Sequence, residues 1–360
     1  MYINKICIDK FRNYEKLDLD FSKNINIIFG NNGKGKTNIL EAIYICAITK
    51  SYRTSKDNEC IKFGDDYCNI DCEFEDKNIK TNIQVYIDNN GKKQIKENGI
   101  KITKYTDYIG KFPVVMFSPD DMDIVKGSPK NRRKFLDILI SQISKKYVVV
   151  LSEYKKTINL KNNLLKLNRN QIDINYLKIL NEKLAKQIVE IVHKRKEFTE
   201  LLWINAKEIQ KNISKGNESL NFVYQTEFKD MDFEKVLKTL NDCIDNDILK
   251  KSSTKGIGHD DIIIYVNDTE VAKYGSQGQN RTALLSMKIG EFELLKTQKE
   301  NVPLILLDDV FSELDNERIN FLLDYIKKYQ VFITTTTVEN IKMDNVKFFD
   351  IEKIRTCEKK

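Results

Sequence analysis

The plainest chemistry in the chain lies in eight consecutive residues. Gly30-Asn31-Asn32-Gly33-Lys34-Gly35-Lys36-Thr37 fits the pattern GxxxxGK[ST]. Glycines in such a loop let backbone N–H groups curl around a phosphate with no Cβ in the way. A helix that starts at the loop's end turns its positive dipole end toward the same anion. Lys36 then reaches the β- and γ-phosphates, and the Thr37 hydroxyl ligates Mg²⁺. The expected ligand is ATP with Mg²⁺, and all eight residues are assigned to it. A second set lies far along the chain, where Leu304-Ile305-Leu306-Leu307 ends in Asp308-Asp309. Four apolar residues predict a buried strand with two carboxylates at its carboxyl end, where open α/β sheets hold ligands. Asp308 is expected to hold Mg²⁺, through water, and Asp309 to polarise the attacking water.

These residues need elements to position them. Ile25 to Phe29 is a short apolar run that reads as a buried strand feeding the loop, and Thr37 to Thr49 reads as a helix. Residues 2–9 and 17–20 alternate apolar and polar side chains, as half-buried strands do, on either side of Phe11-Arg12-Asn13-Tyr14. From 58 to 117 the pattern is one of short strands, with hairpin signals at Asn89-Asn90-Gly91 and Asn98-Gly99. From about 131 the period turns helical. Phe135, Leu139, Ile143, Tyr147, Val150, Tyr154 and Ile158 recur at three or four residues, and after a polar break at 168–173 Leu177 to Leu202 do the same. Two long helices with a short turn predict an αα-hairpin. A third helical stretch runs over 232–250. Residues 262–266 and 271–274 read as a hairpin, 279–297 and 315–328 as helices, and 331–333 as a last buried strand. The predicted fold is an α/β head assembled from both termini, residues 1–130 plus 255–360, with a mainly helical second lobe, 131–254, inserted.

Composition narrows the class. Hydrophobic residues make up 41% of 360, enough for a sizeable core, yet no apolar run reaches the ~18 residues needed to cross a membrane. The first residues hold no basic segment followed by an apolar run, so no secretory signal is expected. Seven scattered cysteines without a CxxC pair read as free thiols in a reducing cytoplasm, and His193 with His259 are too few for a histidine zinc site. A net charge of +7 permits nucleic-acid binding without demonstrating it.

Tyr274-Gly275-Ser276-Gln277-Gly278-Gln279 precedes the helix that leads toward Asp308. It resembles the signature loop of ATP-binding-cassette (ABC) ATPases, with Ser-Gln-Gly-Gln in place of Ser-Gly-Gly-Gln. Ser312-Glu313-Leu314-Asp315 resembles the D-loop of the same class. About 240 residues separate loop and signature, a layout similar to the chromosome-structural and DNA-repair branch. Within that branch the chain resembles the RecF family. Three segments carry the likeness: Phe11-Arg12-Asn13-Tyr14 through Ala42 with Lys50-Ser51-Tyr52-Arg53-Thr54, Pro119 through Asp137, and Leu307 through Asp315 with Arg318 and Leu322. One stretch departs from the family pattern. Gly256-Ile257-Gly258-His259-Asp260-Asp261 stands where the family usually has Gly-Pro-His-Arg-Asp-Asp.

The resemblance implies an ABC-type ATPase head that dimerises with a second copy of itself on binding ATP. Ser276 would face the γ-phosphate held by the other copy, with Gln277, Gly278 and Gln279 beside it, so that Lys36, Asp309 and Ser276 form the catalytic set. Arg12 and Asn13 would touch the nucleotide. It implies ATP-dependent binding to DNA, single- or double-stranded, at gaps. With RecO and RecR such proteins help to load RecA, in repair, replication and the SOS response. ATP hydrolysis is slow and acts as a switch, in the cytoplasm and without a membrane partner. A transporter ATPase is the competing reading, but it calls for Ser-Gly-Gly, a switch histidine and a short insert. A chromosome-structural protein would need a far longer helical insert.

Lys126, Lys130, Arg132, Arg133 and Lys134 cluster at the predicted start of a helix, where the dipole disfavours cations. Lys130, Arg132 and Arg133 are therefore candidates to grip DNA phosphates. The alternative is ion pairing with Asp120, Asp121 or Asp137. Lys155, Lys156, Lys161, Lys166, Arg169, Lys194, Arg195 and Lys196 read as a solvated face.

Overall fold

The computed structural model describes residues 1–230, 232–312, 314–338 and 344–357. The chain forms two compact units, Met1–Asp121 with Glu291–Lys360, and Met122–Gly290.

The first unit, built from both termini, holds two sheets. One is parallel, in the order Val346–Asp350, Ile25–Phe29, Val331–Thr335, Leu304–Asp308, Val114–Phe117. Its inner strands are buried at nearly every position, as in a sheet covered on both faces. The edge strand Val346–Asp350 went unread in the sequence. It is half exposed and carries Lys347 amid its aromatics, so it lacks the continuous apolar run of its neighbours. The other sheet is antiparallel, in the order Tyr14–Asp20, Tyr2–Phe11, Tyr67–Asp76, Ile79–Asp88, Lys93–Glu97, Ile100–Lys101. The helix Lys36–Ile48 touches strands of both sheets, and almost all of its residues are buried. That explains its composition, apolar around the whole circumference rather than along one stripe. Its side chains join those of the sheets in one core.

The second unit is mainly helical. Helix Pro129–Ile143 is followed at Ser144 by Lys145–Leu165, and Ile174–Ile213 runs antiparallel-hairpin fashion after it. The unbroken period over 135–158 predicts one helix. The break comes because Ser144 takes an extended backbone and accepts the Tyr147 N–H, capping the second segment. Leu177, Leu180, Leu184, Ile188, Ile191, Phe198 and Leu202 are buried, as their period requires. A three-stranded sheet, Thr269–Glu270, Asp261–Val266, Leu220–Gln225, completes the unit. Residues 271–274 are a turn of helix rather than a strand. Because Asp261–Val266 pairs along its whole length with Leu220–Gln225, this unit extends to Gly290, past the 254 at which its helical period ends.

Candidate functional site

The loop Gly30–Gly35 lies between the strand Ile25–Phe29 and the helix that begins at Lys36. Gly35 has φ of 96°, and a Cβ there would sit 2.7 Å from Asn13 Oδ1 and 2.9 Å from the Tyr14 hydroxyl. Only glycine meets both conditions. Tyr14 donates its hydroxyl to the Gly35 carbonyl at 3.0 Å, and Asn38 Nδ2 donates to Asn13 Oδ1 at 2.7 Å. Asn13 thus braces the loop from outside. Lys36 folds back on the loop, its Nζ donating to the carbonyls of Gly30 at 2.6 Å and Asn31 at 3.0 Å. Burial lowers the Lys36 ammonium below its ordinary value, against the opposing charges of Asp309 and Asp308. Asn31 Nδ2 donates to Glu352 at 2.6 Å.

Two segments some 270 positions apart meet at Asp308. The Thr37 hydroxyl donates to Asp308 Oδ1 at 2.8 Å, and the Thr334 hydroxyl donates to the same oxygen at 2.7 Å. The Tyr52 hydroxyl donates to Oδ2 at 3.0 Å. Sequence reasoning missed Tyr52 and Thr334. Thr334 was within reach, because the parallel register of the two core strands pairs Asp308 with Thr334 directly. Asp309 follows with φ of 49°, a left-handed turn that aspartate tolerates, and its N–H donates to Thr334 Oγ1 at 3.0 Å. Ser312 donates its hydroxyl to the Asp309 carbonyl at 2.7 Å, and Asp315 caps the helix Asn316–Ile326. Glu313, within the expected D-loop, lies outside the described residues.

Thr37 and Asp308 offer hydroxyl and carboxylate oxygens, hard donors that suit Mg²⁺. Among the described residues no group of three or more His, Cys, Asp or Glu is gathered to hold a metal. Such a cation would therefore draw most of its shell from phosphate oxygens and water, the usual habit of Mg²⁺.

Arg12 is committed elsewhere. Its Nε and Nη2 form a fork on Glu41 at 2.9 and 2.5 Å, and Nη1 donates to the Glu59 carbonyl. Glu41 is fully buried and also receives the Ser51 hydroxyl at 2.5 Å and Arg53 Nη1 at 3.2 Å. A cleft of about 600 Å³ opens beside this cluster, lined by Arg12, Asn13, Asn38, Arg53, Asn58 and Phe63 among others. Phe63 is fully exposed.

In the second unit Ser276 and Gln279 form a reciprocal cap. Ser276 Oγ accepts the Gln279 N–H at 3.1 Å, and Gln279 Oε1 accepts the Ser276 N–H at 3.0 Å. This fixes the start of the helix Gln277–Gln298. Gln277 and Gly278 are its first two residues.

The basic candidates divide. Lys130 is exposed. Arg132 is buried and forms a fork on Asp261, Nε to Oδ1 at 2.7 Å and Nη2 to Oδ2 at 2.9 Å, with Nη1 on the Gly127 carbonyl. It is not placed to grip an external phosphate, which corrects that expectation. Arg133 donates to the Asp260 carbonyl at 2.6 Å, and burial, then the nearby Arg195, lowers its guanidinium below its ordinary value. Arg195, expected on a solvated face, is 3% exposed and bound by Asp137 and Asp260. Lys161 is likewise enclosed, paired with Asp247 at 2.8 Å.

The model of the RecF/RecN/SMC N terminal domain matches residues 2–359. A protein of Lactococcus lactis named DNA replication and repair protein RecF is 39% identical over 354 residues, covering 98% of this chain and 97% of the relative. One of the same name from Clostridium novyi is 39% identical over 359 residues, 98% of each chain. A solved structure of the recombination mediator protein RecF with ATP, in the RecFOR pathway, superposes with a TM-score of 0.90 at 34% identity, over 97% of this chain and 96% of that one. The Smc head domain of Pyrococcus furiosus, at 18% identity and a TM-score of 0.54, shares the ATPase-head fold. With the phosphate loop and its aspartate partner joined as described, and the likeness running the length of the chain, the chain belongs to the RecF family.

Proposed function

We propose that the chain is an ATP-switched DNA-binding protein of recombinational repair and replication. The observation that carries the reading is the hydrogen bond from Thr37 to Asp308, which joins the phosphate loop to the carboxylate strand in one oxygen-lined site. Gly30 to Thr37 wrap the phosphates with backbone N–H groups, and Lys36 exchanges the loop carbonyls for phosphate oxygens. Thr37 and Asp308 hold Mg²⁺, which neutralises charge on the phosphates. Asp309 orients water for a slow hydrolysis that resets the switch. Asn13 supports the loop, and Phe63 with the cleft beside it offers a face for the nucleotide base. Arg12, held by Glu41, shapes that cleft.

Ser276 to Gln279 complete the site of a second copy, so that ATP drives a homodimer. Supporting this, the Ser276–Gln279 cap presents a helix start, whose dipole favours an incoming anion. The closed dimer grips DNA at single-strand gaps, with Lys130 and Arg133 the remaining candidates among the basic cluster. With RecO and RecR it promotes RecA loading and the SOS response, in the cytoplasm. The structure named RecF-ATP in the RecFOR pathway supports the nucleotide and the pathway. Among the described residues no helix is long and apolar enough to cross a membrane.

Gel filtration and DNA binding with ATP, ADP or no nucleotide test the switch. ATP alone should produce the dimer and the tight DNA complex. Lys36→Met should abolish both, while Asp309→Asn should trap the closed, ATP-bound dimer. Wild-type behaviour from both variants would overturn the site assignment.

A further inference from the structure

We propose that Tyr52 is a positioning residue for the divalent metal, acting through Asp308. The proposal rests on the reading that ATP and Mg²⁺ occupy Gly30–Thr37. Asp308 is a carboxylate with two oxygens and about four lone-pair sites. Oδ1 receives two hydroxyls, Thr37 at 2.8 Å and Thr334 at 2.7 Å, which use both of its sites. Oδ2 receives Tyr52 at 3.0 Å. With these three donors the plane of the carboxylate is fixed, and one lone pair on Oδ2 remains for a further donor. A carboxylate so engaged cannot chelate a cation with both oxygens. It can accept a hydrogen bond from one water of the cation's shell. Tyr52 thereby selects an outer-shell role for Asp308.

The Tyr52 ring is itself held. It packs edge-on against Tyr44, with ring centroids 5.4 Å apart at 82°. On one side Ser51 donates to Glu41 at 2.5 Å, and on the other Arg53 donates to Asn38 at 2.9 Å. Both acceptors lie on the helix that follows the phosphate loop. The segment 51–53 is therefore a strap, anchored at its ends to the phosphate-loop helix and at its middle to the metal aspartate.

Tyr52→Phe in the whole chain removes the hydroxyl and little else. Three measurements separate positioning from bulk structure: Mn²⁺ binding by electron paramagnetic resonance with a non-hydrolysable ATP analogue, ATP binding in EDTA, and the thermal midpoint. Second-sphere partners of metal ligands typically contribute 10- to 100-fold in metal affinity. The expected result is Mn²⁺ affinity about tenfold weaker, with metal-free ATP binding and thermal midpoint close to wild type. Unchanged Mn²⁺ affinity in Tyr52→Phe would overturn the proposal, as would an equal loss of metal-free ATP binding. A wild-type chain that binds neither ATP nor Mn²⁺ with the analogue would instead overturn the nucleotide reading beneath it.

Discussion

Asp308 and Asp261 are both buried, and each ends up in a different kind of company. Asp308, 5% exposed, receives hydroxyls from Thr37, Tyr52 and Thr334. Asp261 receives the guanidinium of Arg132 in a two-point fork, while its neighbour Asp260 receives Arg195 and the Tyr224 hydroxyl. Hydroxyls orient a carboxylate and leave its charge in place. A guanidinium cancels that charge. Under the proposed function, a buried carboxylate held by neutral donors is kept ready for a cation from outside, whereas the guanidinium pairs join the helices Pro129–Ile143 and Ile174–Ile213 to Asp260 and the strand Asp261–Val266 that follows it. On that reading the kind of donor, rather than the motif, separates the proposed binding carboxylate from the structural one.

That comparison can be broken in three ways. Arg195→Ala should have the largest effect. It leaves the fully buried Asp260 without its guanidinium and takes the same group from Asp137, and removing one partner of a buried pair costs about 3–5 kcal/mol. Urea denaturation should show that loss, and a change below about 1 kcal/mol would mean the network is slack. Asp308→Asn comes next. Asparagine keeps the size and an acceptor oxygen but loses the charge. Mg²⁺-dependent ATP binding should weaken at least tenfold, about 1.4 kcal/mol, with stability little altered. A large loss of stability instead would place Asp308 with the structural carboxylates. The smallest change is expected of the double variant Arg132→Met with Asp261→Leu, since replacing both members of a buried ion pair by apolar groups is often neutral or stabilising. A net loss above about 2 kcal/mol would show that this pair contributes more than such pairs do. A cycle with the two single variants would isolate the coupling.

The parts of this pattern that could be read in the sequence are those written in adjacent residues. The phosphate loop declares itself through two glycines, a lysine and a threonine at fixed spacing, and the apolar run before Asp308 through its length. The strap 51–53 was visible only as a likeness, because its contacts run to Glu41 and to Asp308, 256 positions away. Charge was misread for a local reason. Arg195 lies four residues after Ile191 and three before Phe198, on the buried stripe of its helix, and Lys161 lies four before the buried Leu165. Position within the apolar period was the better guide, and side-chain type the poorer one. Arg12 shows the limit of that approach. Burial acts to lower its pKa, yet hydrogen bonds and charge from Glu41 leave it raised overall, and nothing in Phe11-Arg12-Asn13-Tyr14 announces that partner.

The strand that bears the phosphate loop has as its two neighbours Val331–Thr335 and Val346–Asp350. A growing polypeptide makes Ile25–Phe29 early and both of its neighbours about 300 residues later. At roughly 5–20 residues per second the wait is about 15 to 60 seconds. Throughout that interval an apolar segment and its glycine loop have no sheet to join, while the whole of the second unit is being made. The phosphate site is thus a late product of synthesis although its best-known residues are among the first translated, and a ribosome that stalls before residue 331 leaves a chain with the loop and no site.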